Sequence, residues 1–273
     1  VSDQDETEKI RWTYTPVFVD NVEMAVETEH YDSIPFSDPI TPCFKIIGGE
    51  VQADFNAYNL SIVKDKDSKE KQWEIILSHP HSVVSAYLGN IMMRGGYELT
   101  REEVEKLEQT IVSIPADPVR FKEFKQNCEY AKQTVKDNVI VNLALNDVNG
   151  KACDLSGVIP LGKYVLVDFW ATWCGPCMAA IPHVKKLVER FPDTFTVIGI
   201  SCDTNLKAWK VAIEKEKATW PQYVLTKEGY KDFLTKYQTS GVPYFLILNE
   251  EGKVICNPGY IEDVEREIER LCK

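Results

Sequence analysis

The stretch Tyr164–Pro182, YVLVDFWATWCGPCMAAIP, constrains the fold of this 273-residue chain more than any other. Tyr164 to Trp170 form a nearly continuous apolar run, the pattern of a strand buried on both faces and therefore placed inside a sheet rather than at its edge. A helical pattern follows from Pro176 to Phe191, and proline is tolerated in that first turn because its missing N–H had no partner to lose. A second apolar strand is expected at Phe195–Ser201, then helices at about Asn205–Lys217 and Glu228–Tyr237. Strands at Tyr244–Leu248 and Val254–Cys256 flank the turn Asn249–Gly252, and Ile261, Val264, Ile268 and Leu271 mark a terminal amphipathic helix. Strands alternating with helices in this way predict an α/β fold, with a central mixed sheet covered by helices on both faces.

The length suggests two domains of ordinary size. Ahead of the α/β pattern, Val17–Val19, Phe44–Ile47 and Tyr58–Val63 read as short strands, and strand character is expected to about Leu77. The run Lys64–Gln72, KDKDSKEKQ, mixes both signs without an apolar anchor and reads as a solvated hairpin tip or loop. Three helices should follow. Ser82–Met93 carries an apolar stripe ended by Gly95-Gly96, Thr100 and Glu103 form a capping box, and Asp117 before Pro118 is an N-cap with proline at the first helical position. Their methionine and aromatic residues lie on apolar faces, as packing residues do. The division expected is thus a smaller strand-plus-helix accessory domain over 1–137 and the α/β domain over 138–273, which opens with a strand at Val139–Leu145 and a turn at Asn146–Gly150.

The formal charge of -11 argues against a phosphate-tracking groove, so nucleic acid is not an expected partner. Residues up to Asp137 hold 15 basic and 25 acidic side chains and the remainder 16 and 17, so the acidity belongs to the first part. No apolar run approaches the length of a membrane span. The start, VSDQDETEKI, lacks the basic-then-apolar pattern of a signal peptide, which suggests a cytoplasmic protein or a mature chain already trimmed.

Of eight cysteines, only Cys174 and Cys177 are close in sequence, so a structural zinc site built on two C-x-x-C pairs is not expected. Cys174 falls at the N-terminus of a helix, where unpaired N–H groups and the positive dipole end favour a thiolate, and this makes it the candidate nucleophile. Cys177, one turn further on, can attack a mixed disulfide on Cys174 and release the partner. The Gly175-Pro176 pair between them has no side chain large enough to block the sulfur. Asp168 is out of place in an apolar strand: either it is buried, with a raised pKa and a role as general base for Cys177, or its side chain meets solvent or a polar contact.

The stretch VDFWATWCGPC resembles the active site of the thioredoxin family, and Gly241-Val242-Pro243 ahead of an apolar strand resembles that family's cis-proline loop. The resemblance implies a thioredoxin-like fold and thiol-disulfide oxidoreductase activity. It makes Trp170, Trp173, Gly175 and Pro176 active-site neighbours, Asp168 the buried carboxylate and Pro182 the kink in the first helix. Pro243 becomes the cis-proline, whose loop, with Val242, pairs with extended substrates. An attacking Cys174 should also be reachable from solvent. The hairpin over Val139–Leu155 and the extra helix at Asn205–Lys217 narrow the likeness to extracytoplasmic proteins of the TlpA and ResA type, and residues 1–137, best over Ser78–Leu88, resemble the extension of Bacteroidetes members. Two departures are visible: Ala180 stands where many ResA-like proteins carry Glu, and Gly199 where typical thioredoxins carry the lysine that partners the buried Asp.

The cofactor implied is the redox-active disulfide itself. A metal site joining His183 to the C-x-x-C is disfavoured; for Cys43, Cys128, Cys153, Cys202, Cys256 and Cys272 free thiols are the default within apolar elements, while an oxidising compartment leaves open a pairing among them whose connectivity the sequence does not give. Expected partners are disulfide-containing proteins and an upstream thiol reductant, in the periplasm or cell envelope, with a membrane anchor removed from the mature chain. The Gly-Pro dipeptide points to a reductant. The alternative is a partner-binding protein that uses the thioredoxin-like half as a redox-sensitive clamp.

Overall fold

The computed structural model describes residues 24–27, 45–49, 52, 53, 55, 56 and 68–273. The chain divides into two compact units, one of residues 1–89 with 109–124 and one of residues 90–108 with 125–273. The strands expected at Val17–Val19 and Tyr58–Val63, and Phe44, Cys43 and His30, lie outside the described residues.

In the first unit, β1 (Ala25–Glu27) pairs antiparallel with β2 (Lys45–Ile47). Helix α1 runs from Ser68 to Ser78, which corrects both the loop expected to Gln72 and the strand character expected to Leu77. The charged run supplies the first turns of this helix, and its apolar anchors, Trp73 and Ile76, come only later; Gln72 is already buried. Helix α1 thus precedes the three that were expected, α2 (Val83–Met93), α3 (Arg101–Thr110) and α4 (Pro118–Ala131), which are not confined to the first unit. The caps form as their sequences require. Thr100 N–H donates to Glu103 Oε2 at 2.9 Å while Glu103 N–H donates to Thr100 Oγ1 at 3.3 Å, and Arg120 N–H donates to Asp117 Oδ1 at 2.9 Å.

The second unit holds a seven-stranded mixed sheet. Its strands are β3 (Ala144–Asp147), β4 (Ala152–Asp154), β5 (Tyr164–Trp170), β6 (Phe195–Ser201), β7 (Gln222–Leu225), β8 (Tyr244–Leu248) and β9 (Val254–Cys256), in the order β4-β3-β7-β6-β5-β8-β9. Strands β5, β6 and β7 run parallel, and the outer pairings are antiparallel. The interleaved helices are α5 (Leu155–Val158), α6 (Gly175–Arg190), α7 (Leu206–Glu216), α8 (Lys227–Lys236) and α9 (Ile261–Leu271). The expected strand at Val139 begins only at Ala144, Val139 making a single bridge to Lys253.

Alternation along β5 sorts its side chains onto two cores. Val165, Val167 and Phe169 join Leu145, Phe233 and Tyr237 on one side, where the Phe169 and Phe233 rings stack at 4.5 Å. Leu166 joins Ala180, Ile181 and Val184 of α6 and Val264 and Ile268 of α9 on the other. By the same alternation Asp168 faces α6, the helix that begins with the cysteines.

Residues 90–108 and 125–137 belong to this unit by their bonds. Tyr97 is fully buried in the first of the two cores, and its hydroxyl accepts from Val141 N–H at 2.8 Å. The Tyr237 hydroxyl donates to Val141 O at 2.5 Å, that of Tyr244 to Gly95 O, and Asp137 N–H to Val254 O at 3.1 Å.

Candidate active site

Strand β5 ends at Trp170, and four residues later Cys174 occupies the N-cap of α6 with Pro176 in the first turn. Its extended backbone, φ -90° and ψ 99°, turns the sulfur back over the helix start, where Sγ accepts from Cys177 N–H at 3.2 Å. Cys174 and Cys177 are joined in a disulfide with Cα atoms 5.3 Å apart. The pair is more closed than the sequence suggested: Cys174 is 5% exposed and Cys177 2%. What opens to solvent is the rim. Trp173 is 64% exposed, Pro176 is exposed, and a Cβ built on Gly175 would meet nothing within 4 Å.

The Val242–Pro243 peptide bond is cis, and Gly241, Val242 and Pro243 are all partly exposed. Pro182 lies inside α6. Asp168 is 4% exposed, and its Oδ1 has no hydrogen-bond partner among the described residues. Of its two sequence readings, burial is what the fold contains. Burial alone lifts its pKa from 3.8 to about 7, because the site offers neither donor nor cation to favour the ionised form.

The reason lies in the next two strands. Asp168 is in register with Gly199 on β6, and Gly199 with Gln222 on β7. The space a side chain at 199 would occupy is filled by the Gln222 amide, whose Oε1 lies 2.3 Å from where a Cβ would stand. That Oε1 accepts from Trp170 Nε1 at 3.1 Å. Trp170, two residues beyond Asp168 on β5, is thus tied to β7 by a neutral amide.

Sequence reasoning missed Gln222, since β7 is short and begins with a polar residue. It also missed Asp203, a buried carboxylate just past the end of β6. Thr172 N–H donates to Asp203 Oδ2 at 2.9 Å and the Thr172 hydroxyl to Oδ1 at 2.6 Å; the Ser201 hydroxyl donates to Oδ2 at 2.8 Å. The available signal was a Ser-x-Asp closing an apolar strand, opposite the turn before the first cysteine.

Cys202, between Ser201 and Asp203, has its thiol pushed up to about 12 by burial and by the Asp203 and Asp168 carboxyls. Cys128, Cys153, Cys256 and Cys272 are free. His183 Nδ1 pairs with Glu265 Oε1 of α9 at 2.8 Å. Among the described residues no group of three potential ligands is placed to hold a metal ion, and no helix is long and apolar enough to cross a membrane.

A mixed sheet with a disulfide at a strand-to-helix junction, a buried carboxyl on the strand that leads to it and a cis-proline ahead of a later strand is the arrangement of a thioredoxin-like domain. Residues 162–254 match the family model described as thioredoxin-like. The chain is 33% identical over 91 residues to thioredoxin 1 of Synechococcus elongatus, covering 78% of that protein, and 30% identical over 115 residues to the thiol-disulfide oxidoreductase ResA of Bacillus subtilis. The latter match spans 42% of this chain and 62% of the ResA length. The crystal structure of the thioredoxin domain of a thiol-disulfide oxidoreductase from Bacteroides vulgatus, at 32% identity, covers 50% of this chain and 98% of its own, with a TM-score of 0.46. This chain belongs to the thioredoxin-like family.

Proposed function

We propose that this chain catalyses thiol-disulfide exchange on protein disulfides in the reducing direction. The observation that carries the reading is the placement of Cys174 Sγ over the first N–H groups of α6, with Cys177 already bonded to it. Those N–H groups favour a thiolate on Cys174 once the pair is reduced. The thiolate attacks one sulfur of the substrate disulfide; a Cys174–substrate bond forms and the other substrate sulfur leaves with the electron pair. Cys177 then passes its proton to the Asp168 carboxylate and attacks Cys174 Sγ. The Cys174–Cys177 bond forms and the second substrate thiolate leaves; two electrons have passed to the substrate, whose two thiolates take one proton back from Asp168 and one from water. A carboxyl that titrates near 7 is matched to this transfer at neutral pH.

The exposed rim of Trp173, Gly175 and Pro176 and the partly exposed Val242 and Pro243 suit a protein substrate that seats its own chain across the site. The reaction draws on no cofactor beyond the disulfide, and an upstream thiol reductant returns the electrons. A place in the periplasm or cell envelope follows from the likeness to TlpA/ResA-type proteins.

Insulin reduction by dithiothreitol tests the activity. The wild type should accelerate it and Cys174→Ser should not; undiminished catalysis by that variant would leave the clamp reading in its place. With Cys177→Ala, mixed disulfides on Cys174 should accumulate and name the substrate. A reduction potential near about -270 mV marks a reductant, and one above about -180 mV would reverse the direction of electron flow.

A further inference from the structure

The catalytic cycle passes through a dithiol state in which Cys174 and Cys177 are no longer joined. In the oxidised chain the disulfide pins Cys174 to Cys177, the third residue of α6. Opening that bond leaves the turn Ala171–Trp173, which carries Cys174, to be held by whatever else grips it.

The grip comes from the far end of the neighbouring parallel strand. Trp170 and Ser201 end β5 and β6 side by side, and Cys202 N–H donates to Trp170 O at 2.8 Å, so the two strand ends are tied. The next residue, Asp203, is 4% exposed and has both carboxylate oxygens engaged. Thr172 reaches it twice, by N–H to Oδ2 at 2.9 Å and by hydroxyl to Oδ1 at 2.6 Å. The Ser201 hydroxyl donates to Oδ2 at 2.8 Å and itself accepts from Asp203 N–H at 2.9 Å, which locks the carboxylate's own position. Beyond Thr172 the turn closes when Cys174 N–H donates to Ala171 O at 3.1 Å. Asp203 has no bond to either cysteine; it acts only on the peptide that delivers one of them.

We propose that Asp203 is a positioning residue for the attacking thiol, holding the 171–173 turn through Thr172 so that Cys174 Sγ stays over the Cys177 N–H when the disulfide is open. The inference rests on the oxidoreductase reading above. Its consequence is differential. In the oxidised state the disulfide and the brace do the same task, so losing the brace changes little; in the reduced state the brace acts alone. Breaking it therefore penalises the dithiol and makes the pair harder to reduce.

The measurement is the redox equilibrium of the full chain with dithiothreitol, in which the protein disulfide takes two electrons and two protons as one dithiothreitol closes to its cyclic disulfide. Thr172→Val keeps the shape and the N–H bond to Asp203 and removes the hydroxyl. We expect it to lower the equilibrium constant for reduction about tenfold, which is about 30 mV more negative. Asp203→Asn should move it the same way, and Thr172→Ser, which restores the hydroxyl, should return the wild-type value. Thermal unfolding of Thr172→Val should show a larger loss in the reduced than in the oxidised protein. Potentials equal to wild type, or equal losses in both redox states, would overturn the brace while leaving an active wild type untouched. A wild type that does not exchange with dithiothreitol would sink the oxidoreductase reading and the brace with it.

Discussion

Replacing Asp168 with Asn separates what the buried carboxyl does for chemistry from what it costs the fold. In the native protein the group holds its proton to about pH 7, against 3.8 for an ordinary aspartate. Between those values the folded state binds one proton more than the unfolded, so stability falls as pH rises through the window and levels off above it. Each pH unit inside the window is worth 1.36 kcal/mol, and integrating from pH 4 to pH 8 gives a loss of about 4 kcal/mol for the wild type that the Asn variant cannot show. The amide carries its own constant penalty, because its N–H groups meet the same partnerless surroundings as Oδ1, so the offset between the proteins is uninformative and the slope decides. Urea unfolding of both oxidised proteins at pH 4, 5, 6, 7 and 8 measures it: the stability difference should tilt toward Asp168→Asn by about 4 kcal/mol across the series. A difference that stays flat with pH would mean that Asp168 ionises in the folded state as it does in water, and its role as base near neutral pH would fail with it.

Two further outcomes follow from the strands beside it. Gly199→Ala drives a methyl into the Gln222 amide and breaks its bond to Trp170; we expect a loss of about 1–3 kcal/mol in urea unfolding, and a variant as stable as wild type would show that the amide moves freely. With its thiol held up to about 12, Cys202 should resist iodoacetamide at pH 8 in the folded protein and react once urea is added, as mass spectrometry of the peptide would show; rapid labelling of the native chain would contradict its burial.

What could be read from the residues was local. Tyr164–Trp170 and the helix after it needed only a run of apolar side chains and a proline in the first turn, and Cys174 at the N-cap followed from the same few residues. Ser68–Gln72 misled because a charge run has no periodicity of its own, and the helix it begins is set by Trp73 and Ile76 further on. Gln222 and Asp203 were invisible for a different reason. Each matters through an atom about 31 to 52 residues away in sequence, brought near by the register of parallel strands that no short window encodes. Asp168 stood out as an anomaly, and Gly199 already signalled that the lysine of typical thioredoxins is missing; that the Gln222 amide fills the space beside it became apparent only with β7 in place.

The stitching of Tyr97 and Gly95 into the second unit also sets a schedule for synthesis. The segment that carries them leaves the ribosome first, yet the Val141 amide that Tyr97 binds lies 44 residues later and the Tyr244 hydroxyl that reaches Gly95 lies 149 residues later. At about 5–20 residues per second, Gly95 is made roughly 7–30 s before its partner exists. Through that interval Tyr97 and the apolar residues around it have no sheet to cover, and the redox site is complete only after Val242 and Pro243, whose peptide bond is cis, have been made.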